Sequence, residues 1–463
     1  MKLNIRNLGK IKKAEIELKD LTIICGPNSS NKTWLSYLIG NMLTTIYTPL
    51  SDFDTEDEIR KFSEDIIKNG ESSIDVEEAK SIYFDYLQLI MQNSKETLPD
   101  YFKADKDSLS DLYFDIDTNS FSEYKGRSRE WASGNVTFSF NNNKITARYT
   151  PKINEDEDVN FEKKLQSVIT HSILYISGLI SEYSFMKPHI VSSERTGALM
   201  FQVEMDRSSI LIDELLRNVG GLDIEPSDKK RLIGDLFEKL YSTKSRLPTP
   251  VNMNVRDVRD IAKTKEIKSV VSHRHPEVID LLNKINGGEF IYDNNEIKFV
   301  QSDGQKAFTI SSTSSSIKSI FLIDLIIRHK LLPGEIILID EPELNLHPDN
   351  QRLMARLIVR LINAGVKILI TTHSDFLIRE INNSIMLSND FDDKEDIMQA
   401  NDIIEQDILS PSRVSAYMVD QKGVVSNMEV GKLGINTQIF DSIINSANQL
   451  QSEIFFSLDG VDE

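Results

Sequence analysis

The chain has 463 residues, of which 40% are hydrophobic and 27% charged, with a formal net charge of −19. That length exceeds one hydrophobic core and predicts two or three structural units, while the acidity argues against a protein that coats nucleic acid. The single cysteine, Cys25, excludes a disulfide framework and a multi-cysteine zinc site, and the absence of an unbroken apolar run of roughly 18 residues argues against a membrane span.

The N-terminus, MKLNIRNLGKIKK, carries no apolar core of a secretion signal, so a cytoplasmic protein is expected. Residues 2–25 read as three strands. The first two alternate apolar and polar residues, as an antiparallel pair exposed on one face does. The third, LTIIC, is apolar throughout and predicts an inner strand. Next come GPNSSNKT (Gly26, Pro27, Asn28, Ser29, Ser30, Asn31, Lys32, Thr33) and an apolar helix. Strand, loop, Lys-Thr and helix is the layout of a phosphate-binding loop, whose backbone N–H groups wrap phosphates while the lysine and hydroxyl reach phosphate and metal. An ordinary polar turn before a helix is the other reading. Asn31 stands where the usual pattern has a glycine, and asparagine is the non-glycine residue that tolerates positive φ best.

Residues 51–128 are acidic, with apolar residues at three- and four-residue spacing, and predict helices packed by one face. A hairpin, NVTFSF-NNN-KITARY, and a helix over 160–187 follow. The strand HIVSSERTG (189–197) ends on Glu194 and Arg195, which either reach a nucleotide site or form a surface ion pair. Helices are expected over 198–285. The stretch NVRDVRDIAKTKEIKSVVSHRH within it is the most basic of the chain, either a solvated face or a contact for phosphates or a partner.

After a second hairpin, GEFIYDNNEIKFV, serines Ser314, Ser315 and Ser316 crowd the start of an apolar helix. There they either cap free N–H groups or clamp a phosphate. In EIILIDEPELNLHPDNQ, four apolar residues run into Asp340 and Glu341. Burying unpaired carboxylates is costly, so an acidic turn competes with a metal ligand (Asp340) beside a general base (Glu341). A second apolar strand, VKILITTHS, ends on His373, placed to meet a γ-phosphate or the attacking water, or merely structural. The last eighty residues predict two strands, a helix and an acidic tail.

Taken together, these segments resemble the ABC-type ATPases. GPNSSNKT resembles their Walker A loop, SSTSSSIKS their signature, ILIDEPELNLHPDNQ their Walker B and D-loop, and TTHSD their switch-histidine loop. The wording DEPELNLHP with TTHS is most similar to the OLD/RecF-like branch, which includes ATPase subunits of phage-defence systems such as PARIS and Septu. The resemblance implies an α/β fold: a P-loop ATPase head with an antiparallel β subdomain, a mainly parallel sheet flanked by helices, and a helical insertion. Its parts would be 1–50, with Walker A, and an insertion over 51–285 that carries one head strand near 189–197. The rest of the head would be 286–390, and 391–463 an α/β extension.

The resemblance further implies ATP and Mg²⁺, with Lys32 on the phosphates, Thr33 and Asp340 on the metal, and Glu341 and His373 as catalytic partners. Two copies would pack face to face, with Ser314 to Ser316 acting on the other copy's nucleotide and Leu346 to Asn350 lining the interface. The expected role is a slow ATPase that senses infection, holds a separately encoded effector (a nuclease or toxin), and answers a phage-encoded trigger. Because residues after 383 lack a Toprim nuclease pattern, the chain is expected to be the ATPase half alone. The alternative is a RecF-like repair ATPase that binds DNA in an ATP-dependent manner.

Overall fold

The computed structural model describes residues 1–47, 58–117, 129–150, 161–180, 188–200, 247–304 and 306–457, apart from 134, 142, 294 and 295. In chain order the first strands are β1 (Lys2–Leu8), β2 (Ile11–Glu17) and β3 (Leu21–Cys25), followed by helix α1 (Lys32–Tyr47). β1 and β2 pair antiparallel and bury alternate residues, whereas all five residues of β3 are buried.

The segment expected to be helical over 51–128 holds α2 (Glu58–Asn69) and α3 (Val76–Phe102), but also two strands. These are β4 (Glu71–Asp75), which pairs with Lys144 to Arg148, and β5 (Tyr113–Asp117), which pairs with β1. Each is five residues long, too short for alternation to stand out against the helical spacing around it. Residues 51–57 and 118–128 lie outside the described residues. Then come β6 (Arg129–Ser133), β7 (Val136–Asn141) and β8 (Lys144–Tyr149), the last two forming the expected hairpin, with Asn143 at φ 62° in its turn. Helix α4 (Phe161–Ile180) and strand β9 (Pro188–Val191) follow. Of the helices expected over 198–285, the part from 201 to 246 lies outside the described residues. Helices α5 (Thr249–Arg259) and α6 (Pro276–Asn286) occupy much of the rest.

β10 (Gly288–Asp293), β11 (Glu296–Gln301) and β12 (Ala307–Thr309) make a small antiparallel sheet. The serine-tipped helix is α7 (Ser315–His329), and beyond it lie β13 (Ile336–Asp340), α8 (Pro348–Asn363), β14 (Lys367–Thr372) and α9 (Asp375–Met386). Further on are β15 (Val414–Val419), β16 (Val425–Met428) and a last helix, α10 (Gln438–Ser457).

The central sheet has six strands in the order β16-β15-β3-β14-β13-β9. All neighbouring pairs are parallel except β15–β16. The fold is therefore α/β, with a mainly parallel sheet flanked by helices and a separate antiparallel sheet β2-β1-β5. Its inner strands are mainly apolar and are buried at nearly every position because both faces are covered. Ile24, Leu338 and Leu369 join the core beneath α1, α3 and α4, while Ile23, Ile337 and Ile339 join the one beneath α7 and α8. Residues expected as a C-terminal extension supply β15 and β16, and β15 pairs with β3 in the middle of this sheet. Every residue of β15 is buried, so it completes the sheet as β3 does.

Candidate functional site

Four strand ends meet along one edge of the sheet: β3 running into the 26–33 loop, β13 into Asp340 and Glu341, β14 into His373, and β9 into Ser192 to Arg195. In an open α/β sheet this C-terminal edge is where ligands bind. The 26–33 loop closes with Ser29 at φ 61° and Asn31 at φ 69°. Asn31 thus takes the left-handed shape a glycine would supply, as its residue type allows. Its amide packs against the β1–β2 turn, where a Cβ on Gly9 would lie 2.6 Å from Asn31 Nδ2. From the same turn, Lys10 donates to Ser29 O at 3.0 Å. Lys10, Asn28 to Trp34 and Glu341 line a cleft of about 460 Å³.

Thr33 Oγ1 donates to Asp340 Oδ2 at 3.0 Å, joining two segments 307 residues apart. Asp340 is 1% exposed and also accepts from Thr371 Oγ1. Burial pushes its carboxyl above the usual range, against the hydrogen bonds from Thr371, Ser193 and Thr33. Lys32 donates to Pro27 O at 2.8 Å. Burial lowers its ammonium pKa, and the charges of Glu341 and Asp340 oppose that shift. The donor set fits a Mg²⁺-bound nucleotide: a hydroxyl and a carboxylate are hard oxygen ligands, and Ser30 Oγ is buried without a hydrogen-bond partner among the described residues. No group of three or more metal-ligating His, Cys, Asp or Glu occurs among the described residues. Mg²⁺ with one carboxylate and substrate phosphates needs none.

Glu341 follows the last residue of β13 at φ 51°, a left-handed conformation that costs a non-glycine residue roughly 1–2 kcal/mol. Its backbone is held at both ends: the N–H donates to Thr371 O at 3.1 Å, and the carbonyl accepts from Arg195 Nη2 at 2.8 Å. Such strain, held by its surroundings, aims a side chain. His373 Nδ1 lies 3.5 Å from Glu341 Oε1 and 3.5 Å from Glu343 Oε1. The imidazole holds the Glu341 carboxyl below its ordinary value, and the carboxylate raises the imidazole.

A family model described as an AAA ATPase domain matches residues 1–378. The chain belongs to that family. The matched span takes in every site residue named above, so the AAA ATPase domain contains the loop, both carboxylates, the histidine and the serines. No curated protein matches the chain. Among solved structures, the SmcHead bound to the C-winged helix domain of ScpA is 13% identical, covers 93% of this chain and 98% of its own, and gives a TM-score of 0.33. The Smc head domain with an extended coiled coil, bound to the C-terminal domain of ScpA derived from Pyrococcus furiosus, is 12% identical. It covers 98% of each chain with a TM-score of 0.31. At that level neither likeness bears on what this AAA ATPase domain binds.

The serines stand apart from the cleft: none of Ser314, Ser315 and Ser316 lines it. Ser314 caps α7, accepting from Ile317 N, and its hydroxyl lies 2.8 Å from that of Ser316. Two residues of the domain, Glu343 and Lys10, are not expected at the site from the sequence, which leaves a third, Arg195, between two readings. Arg195 is no surface ion pair: it is 1% exposed and donates to four backbone carbonyls. Glu343 is buried, and its Oε1 accepts from Thr372 Oγ1 and His373 N. Lys10 reaches the loop from the first hairpin. Glu343 lies within the DEPEL run, whereas only packing reveals Lys10 and the carbonyls that Arg195 binds. Among the described residues no helix is long and apolar enough to cross a membrane.

Proposed function

We propose that the chain is an ATP-hydrolysing sensor and scaffold subunit of a bacterial phage-defence system, of the OLD/RecF-like branch. Two copies close over shared ATP sites and control a separately encoded effector. The observation that carries the hydrolytic reading is the Thr33–Asp340 hydrogen bond, which sets a phosphate-loop hydroxyl on a buried strand-end carboxylate. When bound there, Mg²⁺ supplies charge neutralisation at the phosphates. Lys32 leaves Pro27 O for the β and γ phosphates, and the loop N–H groups wrap them. Glu341, ionised at neutral pH as an ordinary glutamate is and with its pKa lowered further by His373, activates the attacking water and accepts its proton, with His373 orienting the water. A weak base suffices, because phosphoryl transfer depends mainly on positioning and charge stabilisation. Ser314 to Ser316, exposed or half-buried at a helix N-terminus, serve the nucleotide of the facing copy.

The defence role is supported by the DEPELNLHP and TTHS wording and by the net charge of −19, which disfavours a DNA-coating surface. Two measurements test the reading. Phosphate release by the native protein should exceed that of Glu341→Gln, and equal rates at background would remove the enzymatic claim. The chain should also co-purify with the product of a neighbouring gene. Absence of such a complex, together with DNA-stimulated hydrolysis that falls steeply with salt, would replace the defence role by DNA repair.

A further inference from the structure

Arg195 sits where three backbone segments meet. Its Nε donates to Ser319 O at 2.7 Å in the second turn of α7, and its Nη1 to Asp340 O at 2.8 Å. Its Nη2 donates to Glu341 O at 2.8 Å, and Nη1 also reaches Ser192 O at 3.1 Å. Ser192 is itself pinned: its N–H and hydroxyl both donate to Asn254 Oδ1, at 2.9 and 2.7 Å, while Asn254 Nδ2 donates to Ile190 O. Asn254 is fully buried. The guanidinium therefore stands on a fixed base and bridges two elements that no strand pairing connects, the serine-tipped helix and the turn that carries Glu341.

A guanidinium that spends its donors on carbonyls, with no carboxylate in its hydrogen-bond set, is an expensive group to bury. Burial lowers its pKa to about 10, which leaves it charged at neutral pH. A lysine could not replace it, since one ammonium cannot span carbonyls on two elements with a planar fork. The fork also holds Glu341 in its left-handed conformation, which no neighbouring glycine relieves.

We infer that Arg195 is a positioning residue that couples the serine tip of α7 to Glu341, so that seating the tip on a second copy sets the carboxylate for hydrolysis. This rests on the proposed composite site. A displacement of α7 pulls on Ser319 O, and the rigid fork carries it to the carbonyls of Asp340 and Glu341. Lys32 and the N–H groups of the 26–33 loop lie outside this linkage, so nucleotide still binds a single copy without it. Turnover does.

The test measures ATP affinity and steady-state hydrolysis, over a range of protein concentrations, for the full chain and for Arg195→Lys and Arg195→Gln. Expected are an ATP dissociation constant within a few-fold of native and a kcat lower by about 10²-fold, the loss that an ångström-scale misplacement causes. Lysine should not rescue, and the rise of specific activity with chain concentration should disappear. Native kcat in a folded, ATP-binding Arg195 variant overturns the inference. If both variants misfold, hydrogen exchange decides it with Arg195 intact. A non-hydrolysable ATP analogue should protect the amides of 316–320 and of 341–344 together in the native chain, and Ser315→Arg should abolish both. Protection of 341–344 that survives the blocked tip overturns it. Glu341→Gln is the reference: if it hydrolyses at the native rate, the composite ATPase reading has failed, whereas a dead Glu341→Gln beside active Arg195 variants defeats the coupling alone.

Discussion

His373 and Glu341 face each other across 3.5 Å, from the ends of two adjacent parallel strands. The carboxylate raises the imidazole pKa, and the imidazole lowers the carboxyl pKa. The histidine's share of stability is complete below its unfolded value of about 6.5 and is lost as pH rises through its raised native value. The glutamate's share is complete above about 4.3 and is lost as pH falls through its depressed native value. The stability gap between native protein and His373→Gln should therefore be widest near pH ~5.5 and shrink by pH ~9, as read from urea midpoints. A gap independent of pH would mean that the two groups do not form an ion pair.

Glu341→Gln keeps the shape of the side chain and removes its basicity. Phosphate release should fall by about 10²–10⁴-fold while ATP still binds. If nucleotide joins two copies as proposed, an ATP-held dimer should then persist in light scattering, because the nucleotide is no longer consumed. Native turnover in this variant would remove Glu341 as the base and, with it, the proposed composite ATPase reading.

Asp340 is buried, and burial raises its carboxyl pKa. Ionisation begins to disfavour the folded chain as pH rises past the unfolded value, and the penalty is complete above the raised native value, so the charge is a liability without a metal. Asp340→Asn should melt no lower than native in the absence of nucleotide and should lose the extra stabilisation given by Mg²⁺ with ATP. A much lower melting temperature without nucleotide would show that the carboxylate holds the fold itself.

Gly9 and Asn31 touch across the site, and Gly9 itself has φ 57°. Gly9→Ala adds a Cβ that meets the Asn31 amide and strains its own backbone. It should cost roughly 1–2 kcal/mol of stability and weaken ATP binding by moving the phosphate loop. Unchanged melting and affinity would free the loop from the hairpin.

Arg360 and Asp407 form a buried two-pronged pair, Nε to Oδ1 at 2.7 Å and Nη2 to Oδ2 at 3.0 Å. It ties the turn before β15 to α8. Asp407→Ala strands a buried charge and should cost about 3–5 kcal/mol in chemical denaturation, more than an exposed pair would. A loss under about 1 kcal/mol would mean that water reaches Arg360.

The sequence by itself determined the local pieces: the mainly apolar runs of β3, β13 and β14, the polar residues at the ends of β13 and β14, and the capped start of α7. These are legible because strand burial and helix capping depend on a few consecutive residues. What only the tertiary structure decided is which ends stand together. Strand order brings Thr33 onto Asp340, places β15 beside β3, and slides Arg195 beneath Glu341. No local pattern encodes a parallel pairing between segments hundreds of residues apart. Hydrogen-bond partners chosen by packing, such as the four carbonyls around Arg195, carry no signature in residue type, because every residue has a carbonyl to offer.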